Sequence, residues 1–190
     1  MGYNFGSMLD MEAFTELPTD SDAYYAVDLG QPSIEEFVGD YGFLDSMYVL
    51  ENPVETAYGL KVPTTAHALH ADSFRDPTAH EFIAEAEDAF TAQRRGRLLL
   101  KVGIWQRPDW GIMKLQRMYE VNRDKFLLNP GLAERLIATG DMDLVEGNSW
   151  NEYFWGVSPV GSRDGQNHLG RILMRIRHEL QDYYVEELAA

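Results

Sequence analysis

Apolar residues recur at helical spacing over much of the chain after residue 75. One helix is predicted to begin at Asp76 and Pro77, a pair that suits the cap and the first position of a helix. We expect the helical pattern to continue to Gly96 and to stop there, because glycine commonly follows a helix C-terminus. Two more helices are predicted over 109–129 and 129–140.

The longest helix is predicted near the C-terminus, over residues 166–184. Its apolar residues form one stripe, as on a helix that packs against a core: Leu169, Ile172, Leu173, Ile176 and Leu180. Short runs of β-prone residues predict strands near 36–38, 48–62 and 143–146. The expected fold class is therefore α+β, a mainly helical single domain with a few short strands.

The first 34 residues lack a strong periodicity and are broken by Pro18 and Pro32. Four apolar residues in this region are spaced to lie on one side of a short helix: Met8, Met11, Phe14 and Leu17. We predict an N-terminal arm, residues 1–34, ahead of one domain at 35–186. The apolar residues of the arm are expected to dock on a protein partner or on a second copy of the chain.

The net charge of −15 is concentrated in the N-terminal third of the chain. Residues 1–60 contain twelve acids and no Lys or Arg, which leaves 19 acids and 16 bases, a net charge of −3, for the rest. Such an acidic segment either meets a basic partner or only keeps the protein in solution, and the second interpretation is preferred. A direct nucleic-acid surface is not expected, because the bases of the final helix are few and interleaved with apolar residues.

Composition excludes several classes of protein. No apolar run approaches the ~20 residues that a bilayer requires, so no membrane partner is expected. The N-terminus lacks the basic and apolar regions of a signal peptide, which favours a cytoplasmic location. The absence of cysteine excludes disulfides, thiolate nucleophiles and cysteine-based metal sites.

His67 and His70 are three residues apart, a spacing that places two imidazoles side by side on a helix. A metal would need further ligands, and neither a third ligand nor an HExxH motif is evident nearby. Solvated or hydrogen-bonded imidazoles are therefore preferred to a metal site.

The segment 146–156, EGNSWNEYFWG, combines two glutamates with two tryptophans. Carboxylates beside indole rings suit a ligand with a flat ring and a developing positive charge, such as a base attached to ribose. The alternative is a loop that its tryptophans pin to the core. Further along, Asn167 is placed to cap the final helix, whose first N–H groups could hold an anion between Arg163 and Arg171, although the motif is unspecific.

Taken in order, these segments resemble the motifs of the NADAR superfamily of N-glycosidases. The resemblance covers residues 36–180 and rests on these stretches: FVGDYGFLDSMY, VPTTAHALHADSF, RRGR, NPGLAERLIATGDMDLVE, EYFWG and GQNHLGRILMRIR. It implies cleavage of the bond between ribose and a base, on small metabolites or on ADP-ribosylated guanine, without metal or cofactor. Relatives of this family occur in viral genomes, so a phage source is expected.

The resemblance also implies most residues of the site, whereas Asp45 is a new acid at a position where the family pattern has Ser. Glu152 and Asp45 are the predicted catalytic acids, because such chemistry needs a carboxylate near the developing oxocarbenium carbon. The ligand, nucleotide-like or ADP-ribose-like, is expected to contact these residues: Phe43, Ser46, Arg97, Glu146, Trp155, Gly156, Asn167 and Gly170.

The chain departs from the family pattern at the positions that carry charge. Where the family has Glu and Lys in its Glu-His-x-Phe-Gln-Ala-x-Lys motif, this chain has Ala66 and Ser73. Asp45 and Asp72 are acids near the emptied positions and are candidates to replace them. Loss of a charge that acts only in the transition state typically costs orders of magnitude in rate.

Two functions remain open on the sequence. The first is a binding or assembly protein in which the family activity is lost or altered. The second is an active N-glycosidase with a rearranged site. A weaker third interpretation is an acidic decoy for a basic protein surface.

Overall fold

A computed structural model describes residues 31–189, with side chains described as far as residue 183. These residues fold into two compact units, a continuous unit of residues 46–129 and a discontinuous unit of residues 31–45 and 130–189. Residues 1–30 of the predicted arm lie outside the described residues. Helices predominate and the strands are two residues long, so the expected mainly helical α+β class is confirmed.

The continuous unit contains a short hairpin and four helices. Strands β2 (Val54–Glu55) and β3 (Lys61–Val62) pair in antiparallel register. They are followed by α1 (Thr65–Asp72), α2 (Pro77–Ala84), α3 (Ala89–Lys101) and α4 (Trp110–Leu128).

Helix α1 lies at the centre of this unit and contacts each of the other three helices. Seven of its eight residues are buried, and several are alanines, which let neighbouring helices approach closely. Its N-cap is Thr64, whose side chain accepts a hydrogen bond from the His67 N–H at 3.2 Å. A helix buried on all sides places polar residues such as His67 and Asp72 in the core.

The discontinuous unit is built around a parallel pair of strands, β1 (Ser33–Ile34) and β4 (Asp143–Leu144). A 3₁₀ helix (Gly39–Leu44) and α5 (Pro130–Ile137) complete the part before the last helix, α6 (His168–Ala189). The predicted apolar stripe of α6 is confirmed, because every member is at most 5% exposed. This stripe packs α6 against β4 and α5.

Most predicted helix boundaries are confirmed, including the Asp76 cap, whose side chain accepts a hydrogen bond from the Ala79 N–H at 2.8 Å. The predicted stop at Gly96 is wrong, because a new helix starts after Asp88 and runs through Gly96 to Lys101. Gly96 is buried inside α3, where an added Cβ would make ordinary contacts with Phe74 and Ile83, so this glycine does not end the helix. The strand expected at 36–38 is also wrong, because the pairing lies at Ser33–Ile34.

A buried ionic network joins four parts of the continuous unit at Asp72. Its Oδ1 accepts hydrogen bonds from His80 Nε2 at 2.9 Å and from the Ala57 N–H at 2.8 Å. Its Oδ2 accepts a bond from Arg117 Nε at 2.5 Å, and Arg117 also donates to the Glu55 carbonyl at 2.7 Å. Asp72 therefore connects α1 with α2, with α4 and with the hairpin. Among the described residues, no helix is long and apolar enough to cross a membrane.

We expect Asp72→Asn to lower the free energy of unfolding by about 3 kcal/mol, because it removes the buried anion of Arg117 and leaves only the half-buried Glu120 paired with this guanidinium. Urea denaturation followed by circular dichroism measures the change. Asp76→Asn is the matched control, because asparagine is also a good N-cap and should leave stability nearly unchanged. Equal effects of the two substitutions would contradict the structural role of Asp72.

Candidate riboside site

The candidate site in the discontinuous unit lies where the chain leaves β4. Val145 continues the pairing with β1, and its N–H donates to the Ile34 carbonyl at 2.9 Å. Glu146 follows, and its carbonyl accepts from the Val157 N–H at 2.9 Å. The strand therefore brings Glu146 beside the segment that contains Trp155 and Gly156.

Glu152 is held by the backbone that follows it. Its Oε1 accepts from the Phe154 N–H at 3.0 Å, and its Oε2 accepts from the N–H groups of Trp155 and Gly156 at 2.7 and 2.9 Å. These three bonds fix the orientation of the carboxylate. The predicted catalytic acid thus also shapes the loop around it.

Asn148 is a residue of this site that sequence reasoning missed. It is 1% exposed, and its Oδ1 accepts from the N–H groups of Trp150 and Glu152. Its amide nitrogen donates to the carbonyls of Glu152 and Val157 at 2.7 and 2.9 Å. The sequence did carry one signal, because Asn148 follows a predicted strand and a glycine. Asparagine at such a position commonly stabilises a turn by hydrogen bonds to nearby backbone groups.

The start of α6 is closed by the same loop. The N–H groups of Asn167, His168 and Leu169 donate to the carbonyls of three loop residues, at distances of 2.9 to 3.3 Å: Phe154, Trp155 and Gly156. The prediction that an anion binds at these N–H groups is therefore wrong, because loop carbonyls already accept their hydrogen bonds. Arg163, expected to flank that anion, instead forms an ion pair with Glu35 at 2.7 Å.

Asn167 precedes α6 as predicted, but its side chain does not cap the helix. Its Oδ1 accepts from the Glu146 N–H at 3.0 Å and its Nδ2 donates to the Leu144 carbonyl at 2.9 Å. A φ of 48° places its backbone in the left-handed region that asparagine tolerates. Asn167 therefore positions the backbone of Glu146 beside the loop.

Two of the predicted ligand residues are glycines at close approaches. A Cβ at Gly156 would overlap the Oε2 and carbonyl oxygen of Glu146, and a Cβ at Gly170 would overlap the Leu144 carbonyl. These glycines let the loop and α6 lie directly against the residues that end β4.

Glu146 has the most perturbed environment in the site. Burial raises its pKa to about 7, and the negative charges of Glu152 and Asp45 add to this effect. Its Oε2 is buried and has no hydrogen-bond partner among the described residues. Asp45 lies at the end of the 3₁₀ helix and is half-buried. Three predicted site acids thus belong to one electrostatic group.

The rings of the loop differ in exposure. Trp155 is half-buried and packs edge to face on Phe154, with 4.8 Å between ring centroids, while Trp150 is 67% exposed. Phe43, another predicted ligand residue, is 2% exposed and is covered on one side by the Arg135 guanidinium, 4.1 Å from its ring centroid. Trp155 is therefore the more accessible of the two predicted ring contacts.

Ser46 and Arg97 belong to the continuous unit. The Ser46 carbonyl accepts from the Ala66 N–H at 2.9 Å and from the Thr65 hydroxyl at 3.1 Å, and so holds the start of α1. Arg97 lies on the exposed side of α3. Their contact with a ligand stays a prediction.

The histidine pair of α1 is embedded in this unit. His67 Nδ1 lies 2.8 Å from the Thr64 hydroxyl and Nε2 lies 3.2 Å from the Ala86 carbonyl, so both ring nitrogens have protein partners. Burial lowers the pKa of His67 and lowers that of His70 to about 4, where the Arg97 charge contributes. Both rings are therefore neutral near pH 7. Among residues 31–189, no group of three His, Asp or Glu side chains is arranged to hold a metal.

Comparison with known proteins agrees with the resemblance seen in the sequence. The NADAR domain family model matches residues 37–181. A riboflavin biosynthesis protein of Vibrio vulnificus is 39% identical over 144 residues, which cover 76% of this chain and 37% of that protein. The chain thus spans little more than a third of the length of this relative.

Shorter relatives carry the name N-glycosidase. The N-glycosidase YbiA of Escherichia coli is 34% identical over 118 residues, 62% of this chain and 70% of YbiA. The NMR structure of YbiA superposes with a TM-score of 0.69 and 28% identity, covering 89% of this chain and 96% of that structure. The chain belongs to the NADAR domain family.

Proposed function

We propose that this protein binds a ribosylated base through the carboxylates and the half-buried indole of the discontinuous unit, and that it has lost most of the family's hydrolytic activity. The proposal is supported by two uncharged residues, one near the start of α1 and one directly after its end. The two positions where the family has charged groups are here a methyl and a hydroxyl, at Ala66 and Ser73.

Neither position retains a free polar group in the core. Ala66 is 3% exposed. Ser73 is 1% exposed, and its hydroxyl donates to the His70 carbonyl at 2.7 Å. Both residues are therefore packed in the core, and the one polar group among their side chains has a hydrogen-bond partner.

Asp72 does not supply the missing charge. Both of its oxygens are engaged by His80, Arg117 and the Ala57 N–H. A carboxylate that neutralises a buried guanidinium is poorly suited to stabilise a cation on a ligand as well. This argues against the sequence interpretation that Asp72 replaces the family's acid.

The discontinuous unit still offers what ligand binding needs. Glu152 and Asp45 provide negative charge toward a ribose carbon or a basic ring, and Trp155 provides a flat apolar surface. The name N-glycosidase carried by relatives and the fold shared with YbiA support a ribosylated base as the ligand class.

A second candidate function, hydrolysis of the N-glycosyl bond, is favoured by Glu146. A carboxyl with a pKa of about 7 beside two other carboxylates carries a proton that it can donate to a departing base at neutral pH. In that reaction the bond between ribose C1′ and the base nitrogen breaks, and its electron pair leaves with the base. Water adds to C1′ and gives up a proton, which restores the Glu146 carboxyl. Glu152 and Asp45 would stabilise the positive charge on the ribose.

A parallel assay with YbiA separates these functions. Both proteins are incubated with a ribosylaminopyrimidine phosphate and with ADP-ribosylated guanosine, released base is measured by chromatography, and binding is measured by calorimetry. We expect saturable binding to this chain and base release at least ~10³-fold slower than by YbiA, as loss of transition-state charges predicts.

Paired variants make the binding test specific. Trp155→Ala should abolish binding, while Trp150→Ala, which removes an exposed ring of the same loop, should leave it unchanged. Absence of binding by the unaltered protein would contradict the proposal. Rapid base release that is lost in Glu146→Gln and that declines above pH 7 would establish the second function instead.

The pKa of Glu146 is itself testable by the ¹³C shift of its carboxyl carbon against pH. We expect Glu152→Gln to lower this pKa, because it removes a like charge. Glu134→Gln, on the exposed side of α5, is the control and should leave it unchanged. A pKa near 4.5 in the unaltered protein would contradict the buried environment described here.

The same titration affects stability with a definite sign. The unfolded chain releases the Glu146 proton near its ordinary pKa of 4.5, whereas the folded chain retains it to about 7. The contribution of Glu146 to stability is therefore present below pH 4.5 and is lost as the pH rises to about 7. Glu146→Gln should remove this part of the pH dependence of the thermal midpoint.

A further inference from the structure

Asn148 uses the whole hydrogen-bonding capacity of its side chain inside the loop that carries the candidate site. A side-chain amide can accept two hydrogen bonds and donate two. Asn148 Oδ1 accepts from the N–H groups of Trp150 and Glu152 at 3.2 and 3.1 Å. Its Nδ2 donates to the carbonyls of Glu152 and Val157, and the residue is 1% exposed. A buried amide that is fully bonded to backbone is suited to hold a loop and not to contact a ligand.

The main chain of Glu152 is held by this one side chain. Its N–H donates to Asn148 Oδ1 at 3.1 Å, and its carbonyl accepts from Asn148 Nδ2 at 2.7 Å. The turn between the two residues passes through Asn151, whose φ of 62° lies in the left-handed region. Because the backbone of Glu152 is fixed on both sides, its carboxylate meets the N–H groups of residues 154–156 that bind it.

Asn148 also closes the far end of the loop. The Val157 carbonyl accepts from the Asn148 backbone N–H and from Nδ2, both at 2.9 Å. The Val157 N–H donates to the Glu146 carbonyl at 2.9 Å, so the two ends of the loop lie side by side. Burial raises the pKa of Glu146, and the adjacent Asn148 side chain opposes this effect. Asn148 therefore contacts every part of the loop that carries a site carboxylate.

The pattern of bonds explains why an amide is required at this position. An aspartate of the same shape would place an acceptor oxygen against the two carbonyls that now lie 2.7 and 2.9 Å from Nδ2. It would also add a negative charge beside Glu146 and Glu152. An alanine would remove all four side-chain bonds.

We propose that Asn148 is a positioning residue of the riboside site, which fixes the Glu152 carboxylate and the Trp155 indole in the arrangement that the ligand contacts. The inference rests on the proposed function and adds to it the residue that pre-organises the site. Pre-organisation raises affinity, because the loop needs no further ordering when the ligand binds. Asn148 acts through Glu152 and the backbone, and it does not touch the ligand.

The position of the Glu152 carboxylate can be followed without a ligand. The amide protons of Phe154, Trp155 and Gly156 donate to this carboxylate, so their NMR signals report on it. We expect Asn148→Ala to shift these signals in the direction seen in Glu152→Gln, which replaces the charged acceptor by a neutral amide. Unchanged signals in Asn148→Ala would overturn the proposal.

Asn129→Ala is the matched control. Asn129 is 6% exposed and also bonds to backbone, because Oδ1 accepts from the Asn52 N–H at 2.9 Å and Nδ2 donates to the carbonyls of Asn52 and Lys125 at 3.0 and 2.8 Å. Its loss should lower stability, as the loss of Asn148 does, and leave the signals of residues 154–156 in place. Equal shifts in both variants would contradict a specific role of Asn148. If circular dichroism shows that Asn148→Ala is unfolded, Asn148→Ser, which keeps a donor and an acceptor, provides the same test.

Ligand affinity gives the second readout, with a ribosylaminopyrimidine phosphate as the probe in calorimetry. Asn148→Ala should bind at least ~10-fold more weakly than the unaltered protein, and Asn129→Ala should bind equally well. Equal affinities of Asn148→Ala and the unaltered protein would overturn the positioning role. Shifted amide signals together with absence of binding by the unaltered protein would contradict the proposed function, and would still support the role of Asn148 in holding Glu152.

Discussion

The candidate site depends on three consecutive residues whose backbone N–H and carbonyl groups are all hydrogen-bonded. The N–H groups of Phe154, Trp155 and Gly156 bind the Glu152 carboxylate, and their carbonyls accept from the first N–H groups of α6. One short loop therefore satisfies a charged side chain and a helix terminus at once. Because Glu146 lies against Gly156, the position of the titrating carboxyl follows from this arrangement.

Much of the fold could be predicted from local patterns. The Asp-Pro and Asn-Pro helix starts and the apolar stripe of α6 depend on neighbours in sequence, and they are confirmed. The helix stop at Gly96 could not be predicted correctly, because a glycine is tolerated inside a helix that other helices stabilise, and α3 packs against α1 and α2. The position of the first strand was predicted wrongly for a similar reason. Ser33–Ile34 pairs with a strand more than 100 residues away, which local residues do not reveal.

The site was predictable as a set of residues but not as a set of roles. The motifs pointed to Glu146, Glu152 and Trp155, and all three belong to one unit. The sequence could not show that Glu152 accepts three backbone bonds or that Glu146 is the carboxyl with the raised pKa, because both depend on burial and on charges from other segments. Asn148 and the bridging role of Asn167 escaped notice because an isolated asparagine has many uses.

The placement of Asp72 at the end of α1 restricts the side chains that neighbouring positions can accept. Position 66 lies on the same short helix as this aspartate, and position 73 directly follows the aspartate at the end of that helix. Glutamate and lysine at these two positions would add two charges beside a buried carboxylate that already pairs with His80 and Arg117. Such charges would demand compensating changes in α2 and α4, the helices that supply these two partners.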